Sequence, residues 1–397
     1  METTVAIVGG GILGVATAHR LVERFEGVKV HVLEKEPRLA FHQTGNNSGV
    51  LHAGAYYRPG SWKARLCRRG LDRMKAFCTE HGIRHEVCGK IIVAKNPGEE
   101  ERLLKLFETS QANGVNCEWI GPDQIKEREP HVKAHRAILV HDTGIADYKG
   151  VTEKMAGLAT AKDAEIHLNA KVTGIRQDGA QWVVTTPGRE FRANLVINCA
   201  GLQCDRICAL TGIEPPARIV PFRGEYYKLT EEAKYLVNHL IYPVPDPTLP
   251  FLGVHFTRMV DGSRECGPNA VLAFAREGYT FWNINPRDLA GTLLYPGFRR
   301  LAWSFLGTGI GEMKRSLSKS MYLAALQELI PELKADQIVR ANAGIRAQAV
   351  FRDGRMVKDF LIVSCDGVVN VLNAPSPAAT ASLAFGDHIV DQVESLL

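Results

Sequence analysis

Residues Thr3 to Glu34 constrain the fold more tightly than any other stretch of this chain. The apolar, largely β-branched run Thr3 to Val8 predicts a buried strand, and Gly9-Gly10-Gly11-Ile12-Leu13-Gly14 follows it at once. Val15 to Phe25 then places Ala16, Leu21 and Val22 on one side of a helix, and a second strand, Val28 to Leu33, ends in Glu34. Each part has a physical job. Gly9 permits a tight turn, Gly11 lets a pyrophosphate approach the backbone, and Gly14 lets the helix pack close to the sheet. The helix start around Ile12 and Leu13 offers free N–H groups and a positive dipole end to phosphates. Glu34 stands about 20 residues beyond Gly14, where a carboxylate accepts hydrogen bonds from a ribose diol. A second glycine-rich run, Gly307 to Gly311, has no strand before it and carries Glu312 where the last glycine belongs. It reads as a flexible loop.

A chain of 397 residues can bury a large core and is long enough for two domains. Its formal charge of +5 is modest, and with no nucleic-acid motif in view no nucleic acid partner is expected. The nine cysteines are odd in number and include no CxxC, which fits reduced, mostly buried thiols, a cytoplasmic setting and no resident metal. The first strand begins within a few residues of Met1, so no leader is expected. No apolar run approaches the ~20 residues of a membrane helix, which leaves peripheral contact as the one form of membrane attachment to expect.

After Glu34-Lys35 the loop His42 to Gly49 collects small polar residues, among them Thr44, Gly45, Asn47 and Ser48, able to wrap a ligand with hydroxyl and backbone donors. Ser61 can cap a helix whose other faces carry Lys63, Arg65, Arg68, Arg69, Arg73 and Lys75, read as a solvated basic face. Gly89 to Ala94, Ala137 to Val140, Gly144 to Tyr148 and Glu165 to Asn169 read as strands, and Lys171 to Arg176 with Gln181 to Thr186 as a hairpin turning at Asp178-Gly179. Leu195 to Gly201 is an apolar strand ending in small residues, so Ala200 and Gly201 can approach a dinucleotide from a second side. Phe251 to Arg258 and Ala270 to Arg276 are expected as antiparallel strands about a turn at Asp261-Gly262, with His255 beside the bare position Gly253. Pro296 to Leu333 turns helical, and its mix of basic and aromatic residues over 298–319 suits either an anionic lipid surface or packing within the domain. Pro375-Ser376-Pro377-Ala378 opens the last helix, a second positive helix end.

A nicotinamide enzyme predicts a compact αβα continuation after Glu34. Two β-rich insertions follow instead, an arrangement that favours FAD, whose long body several returning segments must grip. The expected fold is therefore α/β, with a Rossmann-like FAD-binding domain (residues 1–82, 149–220 and 340–397). An antiparallel-sheet substrate domain (83–148 and 221–339) is inserted into it.

The glycine loop, Glu34-Lys35, Cys199-Ala200-Gly201 and Arg223-Gly224 together resemble the D-amino acid oxidase superfamily of flavoproteins. Thr44 to Gly54 through Tyr56-Tyr57, Gly253 to Thr257, Gly267 to Ala273, Arg276 to Tyr279, Gly344 to Gln348 and Asn373 to Thr380 resemble, more narrowly, L-2-hydroxyglutarate dehydrogenases and oxidases. One departure is Arg258, which follows Thr257 where that family has proline. The resemblance implies oxidation of an L-2-hydroxy dicarboxylic acid to its 2-oxo acid, a hydride passing to flavin N5 and electrons onward to oxygen or a membrane quinone. Its flavin contacts would include Val172. A base must take the hydroxyl proton, and a histidine suits that work: His255 first, His52 second. Two substrate carboxylates need fixed cations, with Arg346 foremost and Arg223 and Arg276 next, and Tyr57 and Tyr226 as hydroxyl donors. Each of these arginines could equally make a salt bridge. Rival readings are a glycine or sarcosine oxidase of the same superfamily, a flavin-dependent nucleic acid modifying protein, and a non-catalytic FAD-binding protein. The expected location is cytoplasmic, with peripheral attachment to the inner face of the cell membrane if a quinone is the acceptor.

Overall fold

The computed structural model describes residues 3–247 and 253–397, and the expected strand positions Phe251 and Leu252 lie outside the described residues. One sheet has six strands in the order Leu361–Cys365, Val368–Asn373, Leu195–Asn198, Thr4–Val8, Lys29–Leu33 and Glu165–His167. Neighbours are parallel except at the Leu361–Cys365 edge. A parallel sheet must be covered on both faces, and the period of two along the first strand shows how this one is. Val5 and Ile7 cluster with Leu21 of the helix Ile12–Arg24 and Phe385 of the helix Ala378–Val393. Ala6 and Val8 cluster on the opposite side with Val184 and Phe191 of a meander formed by Gly174–Asp178, Gln181–Thr186 and Arg189–Ala193.

The glycine turn sits where the first strand meets its helix. Gly9 has φ +112°, and a Cβ there would lie 2.6 Å from the Cys199 carbonyl oxygen. At Gly14 a Cβ would lie 2.0 Å from the Gly9 carbonyl oxygen. Bare backbone at both positions lets strand, helix and the neighbouring strand close on one another.

The second large sheet has eight strands, ordered Ile338–Arg340, Tyr227–Leu229, Arg264–Gly267, His255–Arg258, Leu240–Pro243, Lys90–Ala94, Arg136–Val140 and Cys117–Ile120. It is antiparallel apart from the Leu240–Pro243 pairing with Lys90–Ala94. Ile91, Val93, Tyr227 and Phe256 bury one face against Tyr322 and Leu326 of the helix Lys319–Gln327. Two long strands, Ala217–Gly224 and Gly344–Phe351, pair from Ala217↔Phe351 to Gly224↔Gly344. Ile219 and Ala349 pack with Leu372 of the first sheet, whereas Gly344 reaches Tyr226 beside the second.

Several local expectations need correction. The 307–311 run is not a loop but part of the helix Leu306–Leu317. A Cβ at Gly307, Gly309 or Gly311 would meet nothing within 4 Å, so these glycines lie on open faces and weaken the helix without preventing it. The turn at Asp261-Gly262 joins His255–Arg258 to Arg264–Gly267, not to Ala270–Arg276. A turn this tight pairs the residues next to it, and Val271–Leu272 joins Phe222 and Arg223 in a different sheet. The strand expected over 144–148 stops at Ala146, because the Asp147 side chain accepts from Gly150 N–H and starts the helix Tyr148–Thr160. The strand expected from Lys171 begins only at Gly174.

Candidate active site

A single cavity of about 1730 Å³ runs from the glycine turn to the eight-stranded sheet. It exceeds the roughly 300–1,000 Å³ of a drug-sized ligand pocket, so there is room for a dinucleotide and a small acid together.

Gly9, Gly11, Ile12, Leu13, Glu34 and Lys35 line its first part, together with Val172, Ala200 and Gly201. Glu34 is buried, and its carboxylate accepts from Gly10 N–H (2.7 Å) and Glu36 N–H (2.9 Å). Those bonds fix the group and leave each oxygen a further lone pair. Thr44 Oγ accepts from Ile12 N–H (3.0 Å), so one first-turn donor is already engaged while the hydroxyl keeps its own hydrogen to give. The helix Ala378–Val393 also opens on the cavity, through Pro375, Ser376, Pro377 and Ala378. Two positive helix ends thus face the same space.

Three residues of the expected cofactor set do other work. Gly14 does not line the cavity, and its role is the close packing described above. Gly45 is also set back, since a Cβ there would lie 2.3 Å from the Ala40 carbonyl oxygen. Asn47 lines the cavity, yet its amide staples the loop. It donates to the Gln43 and Thr44 carbonyls (3.1 and 2.7 Å) and accepts from Gly49 N–H (2.8 Å). Ser48 is in the lining.

At the far end the cavity is walled by His52, Tyr57, Lys63, Tyr226, Tyr242, His255 and Arg346. His255 Nδ1 lies 3.0 Å from the Gly253 carbonyl oxygen. A carbonyl only accepts, so Nδ1 carries the hydrogen and Nε2 holds a lone pair. Gly253 therefore contributes its carbonyl, not open space. The ring of Tyr242 stacks on His255 at 3.9 Å between centroids. Burial first, then the nearby Lys90 and Arg346 charges, bring the His255 pKa down to about 4, against a Gly253 hydrogen bond that raises it. His52 is lowered to about 3 by burial and Lys90, and its Nε2 is engaged with Ser376 Oγ at 3.0 Å.

The cations sort differently from the sequence expectation. Arg346 pairs across the sheet with Phe222, and both line the cavity. Strand alternation turns Arg223 to the opposite face, where its guanidinium donates to the Thr280 carbonyl (3.1 Å) and Glu225 (3.2 Å) over the Phe281 ring. Arg276 is consumed by a two-pronged pairing with Asp205 and a bond to the Leu202 carbonyl (2.8 Å). Neither borders the cavity, so neither is placed to meet a substrate. Lys63, read from sequence as part of a solvated face, lines the cavity instead. Its Nζ rests 5.8 Å from the Tyr57 ring centroid, and burial followed by the Arg346 charge lowers it to about 8. The first turn of its helix is anchored by Asp359, which accepts from Trp62 and Lys63 N–H (3.0 and 2.9 Å). That long-range anchor has no local sequence signal. Tyr57 and Tyr226 are raised by burial and stay protonated as hydroxyl donors.

The lined glycine turn, the fixed acid, the two helix ends and the size of the cavity fit FAD. Comparison with known proteins agrees. An L-2-hydroxyglutarate dehydrogenase of Escherichia coli (strain K12) is 46% identical over 392 residues, covering 98% of this chain and 93% of that protein. The mitochondrial L-2-hydroxyglutarate dehydrogenase of Homo sapiens is 42% identical, covering 98% and 88%. Among solved structures, the dithionite-reduced L-alpha-glycerophosphate oxidase of Mycoplasma pneumoniae with FAD bound superimposes with a TM-score of 0.80 at 23% identity, over 99% of this chain and 95% of that one. That likeness speaks for the fold. The model of the DAO family, described as FAD dependent oxidoreductase, matches residues 4–392, and the chain belongs to that family.

Proposed function

We propose that this chain oxidises L-2-hydroxyglutarate to 2-oxoglutarate, with residues 1–82, 149–220 and 340–397 holding FAD and 83–148 and 221–339 shaping the substrate chamber, to which Tyr57, Lys63 and Arg346 of the first set also contribute. The observation that carries the reading is one chamber end bearing two cations, Arg346 and Lys63, beside a neutral histidine, His255. The relatives named for this substrate, 41–46% identical, add to it. FAD, when bound, supplies the acceptor for the hydride that leaves C2. His255 takes the hydroxyl proton at Nε2, the atom its Gly253 hydrogen bond leaves unprotonated. Arg346 holds one carboxylate through its planar fork and Lys63 the other as a point charge. Tyr57 and Tyr226 donate to the carboxylate oxygens and help keep water out.

The test is an anaerobic spectrum of the purified holoenzyme with L-2-hydroxyglutarate, its D form, lactate, glycine and sarcosine added separately. Reduction of the flavin by L-2-hydroxyglutarate alone is the expected result, and reduction by glycine or sarcosine instead would replace this reading with amine oxidation.

We further propose that the enzyme works from the cytoplasmic side, attached to the inner face of the membrane and passing electrons to a quinone. No described helix is long and apolar enough to cross a membrane. Trp282 and Trp303 are 83% and 82% exposed, and Leu294 and Leu317 are also exposed. Arg299, Arg300, Lys314 and Arg315 lie along the same helical stretch. Large apolar side chains left in water beside basic ones suit the surface of an anionic bilayer.

A further inference from the structure

Lys90 is a buried cation for which the chemistry above has no use. Its side chain is 1% exposed, and among the described residues it makes no ion pair and no side-chain hydrogen bond. Its Nζ lies 4.5 Å from the Tyr56 ring centroid and 4.9 Å from that of Tyr242. An isolated ammonium taken out of water is costly, and two aromatic faces offset only part of that cost. Such a group persists where its charge has a use.

The groups packed around Lys90 do not cancel the charge. Cys67, on the helix Trp62–Glu80, is pushed up to about 12 by burial and stays a neutral thiol. The Tyr56 and Tyr242 phenols are raised by burial and stay protonated. Below neutral pH the Lys90 ammonium is charged, since burial brings it down only to about 7. Tyr242, with Lys90 over its ring, stacks on His255 at 3.9 Å. The other charged or titratable groups felt by His255 are Arg346 and His52, and His52 is neutral.

We propose that Lys90 is a positioning residue whose uncompensated charge, carried behind the Tyr242 ring, adds to burial in holding His255 in its neutral, proton-accepting form. The proposal rests on the reading of His255 as the base. Two neutral variants, Lys90→Met and Lys90→Gln, and one charged variant, Lys90→Arg, test it as holoenzymes. Removing the charge raises the His255 pKa. The ¹⁵N titration of the His255 imidazole and the acid limb of kcat/KM should therefore both move up by at least ~0.5 pH unit, roughly a threefold loss of kcat/KM below the limb. Lys90→Arg should restore both. An unchanged His255 titration in a neutral variant that still holds FAD overturns the proposal. So does loss of FAD in both neutral variants with retention in Lys90→Arg, which would make the charge structural. If the acid limb persists in His255→Asn, the base reading fails, while the imidazole titration still decides the role of Lys90.

Discussion

In the proposed function His255 and Arg346 carry the two demands of the chemistry, a proton acceptor and an anion receptor, and each owes its fitness to its surroundings. An exposed histidine near pH 6.5 is partly protonated in mild acid. The lowered value at His255, about 4, keeps the imidazole neutral through that range. Protonation removes the lone pair, so kcat/KM is expected to be level from neutral pH down to about 5 and to fall below that. His255→Asn should leave FAD bound and slow anaerobic flavin reduction by substrate at least ~100-fold. Unchanged stopped-flow rates would take His255 out of the mechanism. Arg346→Ala removes the planar fork and should raise KM by roughly 10- to 100-fold with a smaller change in kcat. A titration of reduction rate against substrate concentration checks this, and an unaltered half-saturation point counts against the assignment.

Among the elements, the strand–turn–helix at the N-terminus admits no added side chain at Gly9 or Gly14. In Gly14→Ala the new methyl would lie 2.0 Å from the Gly9 carbonyl oxygen, so the helix must move off the strand. Overpacking of this kind costs about 1–3 kcal/mol, and it displaces the helix end that borders the nucleotide part of the cavity. A lower Tm and reduced FAD content are expected. Gly157→Ala is the contrasting case. It lies in the helix Tyr148–Thr160 with nothing within 4 Å of its added Cβ, and should gain up to about 1 kcal/mol with full FAD content. The turn was legible because its requirements are local: a positive φ, a close carbonyl and an acid at fixed spacing. The 307–311 helix was not legible. Three glycines argue against a helix locally, and whether the rest of the segment packs well enough to hold one is a tertiary matter.

At the scale of the molecule, the long pair Ala217–Gly224 and Gly344–Phe351 reaches from the six-stranded sheet to the eight-stranded one, and the cavity lies along that span. If the segment 282–317 docks on lipid, the holoenzyme should co-sediment with anionic vesicles. The Trp282→Ala/Trp303→Ala double variant should lose that association and keep its turnover with a soluble dye acceptor. Both side chains are exposed, so little stability is at stake. Failure of the wild type to sediment with anionic vesicles would remove the membrane proposal. The sequence by itself determined the dinucleotide-binding turn, because a glycine turn, its helix and its acid are fixed by spacing and backbone sterics within a few dozen residues. The β-rich insertions favoured FAD, and the family followed from a resemblance carried by motifs along the whole chain. Only the tertiary structure decided which cations line the cavity. Arg223 has the right charge but is turned aside by strand alternation, and Arg276, outside any strand, is held by Asp205 and the Leu202 carbonyl. Lys63 comes to the chamber from a helix, and Lys90 comes to the back of the Tyr242 ring from a strand, both through long-range contacts.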